Sequence, residues 1–231
     1  WAVYVPGIGA GQQMDYLLTG DLIMAGAASG GLLRVTPAGG QSAFGPGIDA
    51  YGLRVAPDGD VWIAGSTGVF RIGIFTGVVT TIATLPGTTP HSFDWSPDFT
   101  KIYIGTIGSG QIYAVDLDAT MSPASAPYPF ATVEGSGWHD GVAVDACGYL
   151  YVADYSSSSL YRVAPNGVGG SFLDWSGTPG GYGHGTIFGK GVGGFREDAL
   201  YLPMPYNGNT VKEVVVGVPR RDWGGIVVNA P

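Results

Sequence analysis

The chain has 231 residues, of which 41 are Gly and 16 are Pro, while 45% are hydrophobic and 12% are aromatic. This hydrophobic content excludes disorder for most of the chain, and the abundance of turn formers over helix formers excludes a helical bundle. The net charge of −8, with only ten Lys and Arg residues, excludes a phosphate-binding surface, so we expect no nucleic-acid partner.

The same composition bears on the environment of the protein. No apolar run reaches the roughly 18 residues that a membrane helix needs, so we expect no membrane span. Cys147 is the one cysteine and cannot form an internal disulfide. The scarcity of Lys and the abundance of Gly, Ser, Thr and aromatic residues favour a secreted or periplasmic protein, whereas a start at Trp1 fits either an exported or a trimmed chain. We expect a monomer.

A repeated pattern of strands and turns runs along the chain. Each copy consists of a short alternating strand, a turn with Gly, a second strand, a turn of small residues and a third strand. The copies cover residues 20–37, 52–72, 92–117, 140–167 and 198–218. The second strand of each copy begins with an apolar residue, and these residues are spaced 39 to 50 apart: Leu22, Val61, Ile102, Leu150 and Leu200. Short strands at this period predict an all-β fold, a β-propeller of four-stranded antiparallel blades.

The number of blades follows from the spacing. From Leu200 through both termini back to Leu22 there is room for one more period, which favours five blades. The segments 1–6 and 225–230 would then pair to complete one blade and close a single domain over residues 1–231. A sixth, minimal blade made of these two ends is the alternative.

Within the blades, residues 149–153 are apolar on both faces, as expected for a sheet between two others. An aromatic residue recurs at one repeat position, and we predict that these side chains pack between blades: Trp62, Tyr103, Tyr151 and Tyr201.

Three stretches carry a resemblance to a known family. They are WHDGVAVDACGYLYVADYSSSSLYRVAPNG (138–167), PHSFDWSPDFTKIYIGTI (90–107) and GTIFGKGVGGFREDALYLPMPYNGNTVKEVVVGVP (185–219). In them the chain resembles the SMP-30/gluconolactonase/luciferin-regenerating-enzyme family of six-bladed, NHL-like propellers. The resemblance implies one divalent cation, usually calcium, in a central tunnel, where it polarises a lactone, ester or phosphoryl group.

The family's ligands come from the start of each innermost strand, one strand from each blade. The repeat places five residues of this chain there, at one mouth of the tunnel: Gln12, Tyr51, His91, Asp140 and His184. The chain keeps the family's Asp-Gly as Asp140–Gly141 but has Pro90–His91–Ser92 where the family has Pro-Asn-Gly. We predict these five as metal ligands, with Asp140 first and His91 and His184 next.

The chemistry of the donor groups bears on which metal ion could bind. Two histidines with one carboxylate suit zinc, whereas calcium prefers several oxygen donors, so both ions stay open. In this hypothesis Asp140 has a catalytic role, a bound water is the nucleophile and His139 is a proton shuttle.

Three functions follow from these observations. The first is a metal-dependent hydrolase of lactones or esters at the tunnel mouth. The alternative is a non-catalytic propeller that binds a small ligand, a glycan or a protein through its loop face, where Trp138 and Trp175 are candidates. A third resembles the streptogramin lyases, which also begin inner strands with His-Gly, here His184–Gly185, and cleave by elimination with Mg²⁺.

Overall fold

The computed structural model describes residues 11–27, 31–45, 47–65, 67–135, 137–191 and 193–221. Across these ranges the chain forms strands and turns, and none of the described residues belongs to an α-helix that could span a membrane. The chain divides into two compact units, Trp1–Thr84 with Trp223–Pro231 and Leu85–Asp222. The single closed domain stays a prediction, and the predicted pairing of segments 1–6 and 225–230 lies outside the described residues.

The first unit contains two four-stranded antiparallel sheets. In each sheet, strands that are neighbours in the sequence are hydrogen-bonded neighbours. The first sheet consists of β1 (Met14–Tyr16), β2 (Leu22–Ala27), β3 (Gly31–Val35) and β4 (Gln41–Phe44). The second sheet consists of β5 (Ala50–Val55), β6 (Val61–Gly65), β7 (Gly68–Ile72) and β8 (Val79–Thr84).

The second unit contains three sheets with the same order of strands, and the described part of the last has three strands. The first of these sheets is β9 (Thr89–Trp95), β10 (Lys101–Ile107), β11 (Gln111–Asp116) and β12 (Tyr128–Thr132). The next is β13 (His139–Val144), β14 (Leu150–Asp154), β15 (Ser159–Val163) and β16 (Gly169–Asp174). The last is β17 (Ile187–Phe188), β18 (Ala199–Met204) and β19 (Thr210–Val215).

Five antiparallel meanders confirm the predicted all-β propeller fold with five blades. The spacing along the sequence located the second strands well. Strands β2, β6 and β14 begin at the predicted Leu22, Val61 and Leu150, and β10 and β18 begin one residue earlier than predicted, at Lys101 and Ala199. Burial follows strand order: β6 and β14 are buried throughout, whereas β4 and β16 are exposed or half-buried throughout.

The repeated aromatic residues are all buried, as predicted for packing between sheets. In the second unit, Tyr103 shares one apolar cluster with Val142 and Val152 of the next sheet. Tyr151 packs edge-on against Phe188 of the last sheet, with 5.9 Å between ring centroids. Aromatic side chains therefore fill the space between neighbouring blades.

An aspartate on the first strand of a sheet binds the first strand of the following sheet. In the first unit, the Val55 amide donates to Asp15 Oδ2 at 3.0 Å. In the second unit, the Val144 amide donates to Asp94 Oδ2 at 2.9 Å. The first strand of each sheet is an edge strand. These carboxylates therefore accept hydrogen bonds from backbone amides that point away from the neighbouring strand of their own sheet.

Candidate functional site

Three of the five predicted ligands lie together in the second unit. His91 lies in β9, Asp140 in β13 and His184 in the segment that leads to β17. The Nδ1 atom of His184 is 3.1 Å from Asp140 Oδ2, and Nδ1 of His91 is 3.7 Å from Asp140 Oδ1. The repeat therefore brought together a carboxylate and two imidazoles from three successive sheets.

The backbone around Asp140 explains how these elements come so close. Gly141 follows the carboxylate, and a Cβ atom at this position would collide with the backbone of Gly185 and Thr186. The segment after His184 therefore packs directly on β13, which only glycine allows. From this position the Gly185 amide donates to Asp140 Oδ1 at 3.2 Å. The Asp-Gly and His-Gly pairs thus fit against each other.

A hydrogen bond beside the site also connects β9 to β13, the first strands of two successive sheets. The Ser92 hydroxyl, next to His91, donates to the His139 carbonyl at 2.9 Å. The pairing of β13 with β14 shifts register between His139 and Gly141, so Asp140 lies at a bulge. A bulge changes the direction in which a side chain points, and this one lies where the carboxylate meets both imidazoles.

Burial and the Asp140 charge act in opposite directions on the pKa of the neighbouring His91. Asp140 and His91 are buried, and burial lowers the pKa of His91, although the nearby Asp140 charge acts in the opposite direction. His91 is therefore neutral at neutral pH. Since a carboxylate only accepts hydrogen bonds, the Nδ1 of His184 that faces it carries the proton. The basic lone pair of a neutral His184 is then on Nε2, which has no hydrogen-bond partner among the described residues.

Four aromatic residues form a connected group of rings beside the imidazole of His184, and two of them contact it. We call Trp138, Tyr155, Tyr182 and Tyr206 the aromatic patch. The ring centroid of Tyr155 is 4.7 Å from that of His184, and the centroid of Tyr206 is 5.6 Å from it. Trp138 and Tyr182 each contact Tyr155, at 4.9 and 5.0 Å. The candidate site is therefore an imidazole and carboxylate pair bordered by aromatic rings.

Of the two aromatic residues predicted on the loop face, Trp138 is exposed and belongs to this patch, whereas Trp175 is buried. The tyrosines lie in turns and loops outside the repeated strands, where no periodicity distinguishes them. Their one sequence signal is proximity to strand ends near predicted site residues: Tyr182 precedes His184 by two residues, and Tyr155 follows β14 directly.

His139 does not join the cluster of His91, Asp140 and His184. Its ring is fully buried, with Nδ1 3.5 Å from the Thr106 amide of the preceding sheet. Burial lowers the pKa of His139 to about 4, although Asp154 acts in the opposite direction. The ring is neutral at neutral pH and packs between sheets, so this position gives no support to the predicted proton-shuttle role.

The remaining two predicted ligands belong to the first unit. The Tyr51 hydroxyl donates to Asp49 Oδ2 at 3.1 Å, and burial raises the pKa of this phenol, as does the Asp49 carboxylate. Gln12 pairs through its backbone amide with the Ala25 carbonyl at 2.9 Å. Tyr51 is the second residue of β5 and Gln12 lies two residues before β1, close to the predicted positions. Their role as ligands stays a prediction.

Zinc and calcium each need several donor groups that converge on one point. Asp140 contacts both imidazoles, and its oxygens face the two imidazole Nδ1 atoms and the Gly185 amide. Over the ranges that the structure describes, no group of three or more His, Cys, Asp or Glu side chains is arranged to hold a metal ion. The residues described here therefore do not fit the calcium or zinc site that the resemblance implies.

Part of this chain is similar in sequence to a known family. Residues 80–170 match the family model described as SMP-30/Gluconolactonase/LRE-like region. The resemblance to this family is confirmed. His91 and Asp140 lie within the matched SMP-30/Gluconolactonase/LRE-like region, whereas His184 follows it. No curated protein sequence matches the chain.

Solved structures with the same fold include proteins of different activities. A gluconolactonase from Xanthomonas campestris is 17% identical, with a TM-score of 0.70 over 89% of this chain and 70% of that one. Virginiamycin B lyase from Staphylococcus aureus is 16% identical, with a TM-score of 0.62 over 88% of this chain and 69% of that one. An auxiliary nutrient binding protein from Bacteroides ovatus is 15% identical, with a TM-score of 0.69 over 91% of this chain and 60% of that one.

At these identities the likeness shows the fold alone. The chain spans 60 to 70% of the length of these three proteins. Any function of this chain therefore depends on the chemistry of its own site residues.

Proposed function

We propose that the protein is a hydrolase of lactones or related esters, with His184 as the general base and Asp140 as the residue that orients it. One observation carries the proposal: Nδ1 of His184 lies 3.1 Å from Asp140 Oδ2. A carboxylate on one imidazole nitrogen fixes the proton there and leaves the opposite nitrogen as a base. The match of residues 80–170 to a family that includes gluconolactonases supports the choice of substrate class.

The chemistry that this pair can perform is acyl transfer to water. His184 Nε2 takes a proton from a water molecule while the water oxygen attacks the ester carbonyl carbon. The tetrahedral intermediate then collapses, the bond to the leaving alkoxide breaks, and the imidazolium returns the proton to that alkoxide. The Asp140 carboxylate stabilises the imidazolium between these steps. The products are a carboxylic acid and an alcohol, joined in one molecule when the substrate is a lactone.

His91 supports this pair without taking part in the proton transfer. It is buried, it is neutral because burial lowers its pKa, and it faces the Asp140 oxygen that His184 does not use. We assign it as a positioning residue that holds the carboxylate plane. A calcium- or zinc-dependent version of the reaction, which the family resemblance implies, stays a prediction.

The test uses purified protein and a panel of lactones and esters, with acid release followed in a pH-stat. We expect His184→Ala to lower kcat by roughly 10²- to 10⁴-fold, the usual contribution of a general base. Phe195→Ala is the matched control, because Phe195 is an exposed aromatic residue whose ring contacts Tyr201 instead of the patch. Equal rates for wild type and His184→Ala would contradict the proposal.

The same assay decides the role of metal. We expect the rate to be unchanged after treatment with a chelator and unchanged again when calcium or zinc is added back. A rate that disappears with the chelator and returns with one ion would restore the metal-dependent hypothesis. Product analysis separates hydrolysis from elimination, since only elimination leaves a new carbon–carbon double bond.

A second candidate is a binding protein without turnover. The observation that favours it is the cover over the imidazole, since His184 Nε2 is buried while the rings of Tyr155 and Tyr206 contact the imidazole. A ligand held on the aromatic patch with no conversion of any lactone or ester, and with affinity unaffected by Asp140→Ala, would support this candidate over the hydrolase.

A further inference from the structure

The aromatic patch presents a continuous exposed surface beside the proposed base. The exposed fraction is 62% for Tyr206, 38% for Tyr182 and 37% for Trp138. The ring centroids of Tyr182 and Tyr206 are 6.3 Å apart, and Tyr155 contacts both. Large aromatic side chains that are exposed together mark a binding surface more often than a chance arrangement.

The backbone holds one side of this surface in a fixed position. The Trp138 and Gly137 amides both donate to Asp154 Oδ2, at 3.2 and 3.0 Å. The Tyr155 amide donates to the Trp138 carbonyl at 2.9 Å. Three hydrogen bonds therefore connect the end of β14 to the loop that carries Trp138, so the surface is preorganised for a ligand.

The chemistry of the patch selects its ligand. Among the described residues, no ammonium or guanidinium group stacks on any of its four rings. Two carboxylates border it, Asp154 at the Trp138 amide and Asp140 at His184. An anionic substrate would be repelled by these carboxylates. A quaternary ammonium group needs rings around an open space, but these rings contact one another at centroid distances of 4.9 to 6.4 Å.

A flat, uncharged aromatic ring suits a patch that has no stacked cation and whose rings contact one another. Such a ring can pack edge-to-face or offset against the outermost tyrosines, as these rings already pack against each other. A polyhydroxylated sugar would instead need several hydrogen-bonding side chains around the stacking face. The described patch offers only its tyrosine hydroxyls and the Trp138 indole for that purpose.

We propose that the substrate carries an uncharged aromatic ring, which packs on Tyr206 and Tyr182 and places the ester carbonyl next to His184. This inference rests on the hydrolase proposed above and specifies its substrate class. Tyr206, as the most exposed ring in contact with the imidazole, is the residue that determines specificity.

The experiment compares esters that differ only in the ring. Benzyl acetate and cyclohexylmethyl acetate have similar leaving groups, and glucono-δ-lactone represents a polyhydroxylated substrate. We expect kcat/KM for benzyl acetate to exceed that for cyclohexylmethyl acetate by about tenfold, from aromatic contacts with two tyrosines. The Tyr206→Ala variant should lose most of this preference, whereas Tyr206→Phe and the control Phe195→Ala should keep it.

The outcomes separate this inference from the hydrolase proposal. Hydrolysis of both acetates at equal rates, or a preference for glucono-δ-lactone, would overturn the aromatic substrate and leave the hydrolase intact. Absence of all turnover would overturn the hydrolase proposal. In that case, the affinities for benzyl alcohol and cyclohexylmethanol test the preference for an aromatic ring. Benzyl alcohol that binds wild type and Tyr206→Phe more tightly than cyclohexylmethanol does would support it, and equal binding of both alcohols would overturn it.

Discussion

Asp140 and His184 are joined between Oδ2 and Nδ1 at 3.1 Å, although one lies in β13 and the other in the segment that leads to β17. The contact spans two sheets, and it depends on the close packing of Gly141 against Gly185 and Thr186. The proposed chemistry therefore depends both on the identity of the side chains and on the distance between two pieces of backbone.

The Asp140→Asn variant tests the contact between the side chains. An amide cannot stabilise the imidazolium, and its NH₂ group can turn toward Nδ1 and favour the wrong tautomer of His184. We expect kcat for ester hydrolysis to fall by roughly 10²- to 10⁴-fold with little change in KM, because the effect is on the base. A large rise in KM with unchanged kcat would instead place Asp140 in substrate binding.

The Gly141→Ala variant tests the distance between the two pieces of backbone. A Cβ atom would collide with the backbone at Gly185 and Thr186, so the segment that carries His184 must move away from Asp140. We expect a loss of kcat that approaches the loss in Asp140→Asn, without removal of any side chain that contacts the substrate. Circular dichroism gives the control for folding, and Gly170→Ala is the matched variant, since a Cβ there meets no atom within 4 Å. Full activity of Gly141→Ala would show that the close packing is unimportant for the reaction.

The lowered pKa of His139 should make the free energy of unfolding depend on pH. Its pKa is about 4 in the folded protein, below the ordinary value of 6.5, because the folded state buries the neutral ring. Between pH 6.5 and pH 4 the unfolded chain therefore binds more protons than the folded chain, and the free energy of unfolding decreases as the pH falls through this window. The full loss is about 3 kcal/mol.

Urea unfolding at pH 7.5, 5.5 and 4.5 measures this effect. The His139→Asn variant should show a weaker decrease than wild type over the same window, because the amide does not titrate. His91, whose pKa is also lowered by burial, contributes to the decrease in both proteins, so the difference between them reports His139 alone. Identical pH dependence in the two proteins would contradict the assignment.

Replacement of Arg221 should have the largest effect on the free energy of unfolding. Its guanidinium is 2% exposed, donates to Asp94 and to the Trp95 carbonyl, and lies 5.4 Å from the ring centroid of Phe99. Replacement by Leu would leave the buried Asp94 charge without its cation, which costs about 3–5 kcal/mol.

Thermal and urea unfolding at neutral pH check this prediction. The matched control is Arg196→Leu, which removes an exposed pair with Asp198 and should change the midpoint little. Similar midpoints for the two variants would show that the buried pair contributes no more than the exposed one.

The fold was predictable because the repeat determines it locally. Apolar residues such as Leu22 and Val61 begin the second strands at a regular spacing, and turns rich in Gly and Asp separate the strands. The same repeat predicted that His91, Asp140 and His184 would meet, since equivalent positions of successive blades come together.

The rest of the site was not predictable, for two physical reasons. His139 is adjacent to Asp140 at a bulge that the repeat spacing does not indicate, and its ring lies between sheets instead of beside the carboxylate. Tyr155, Tyr182 and Tyr206 lie in connecting segments whose paths depend on contacts distant in sequence. Spacing along the chain gives no information about such paths.

The two dipeptides at the centre of the site offer a way to sort other propellers. Asp140–Gly141 and His184–Gly185 are each too short to be informative, but the glycine at 141 makes room for the backbone at 185. A propeller sequence that has an Asp-Gly in one blade and a His-Gly at the matching point of the next satisfies both halves of one steric requirement. Such a pair could be recognised in genomes from sequence alone, even where overall identity is too low to suggest common chemistry.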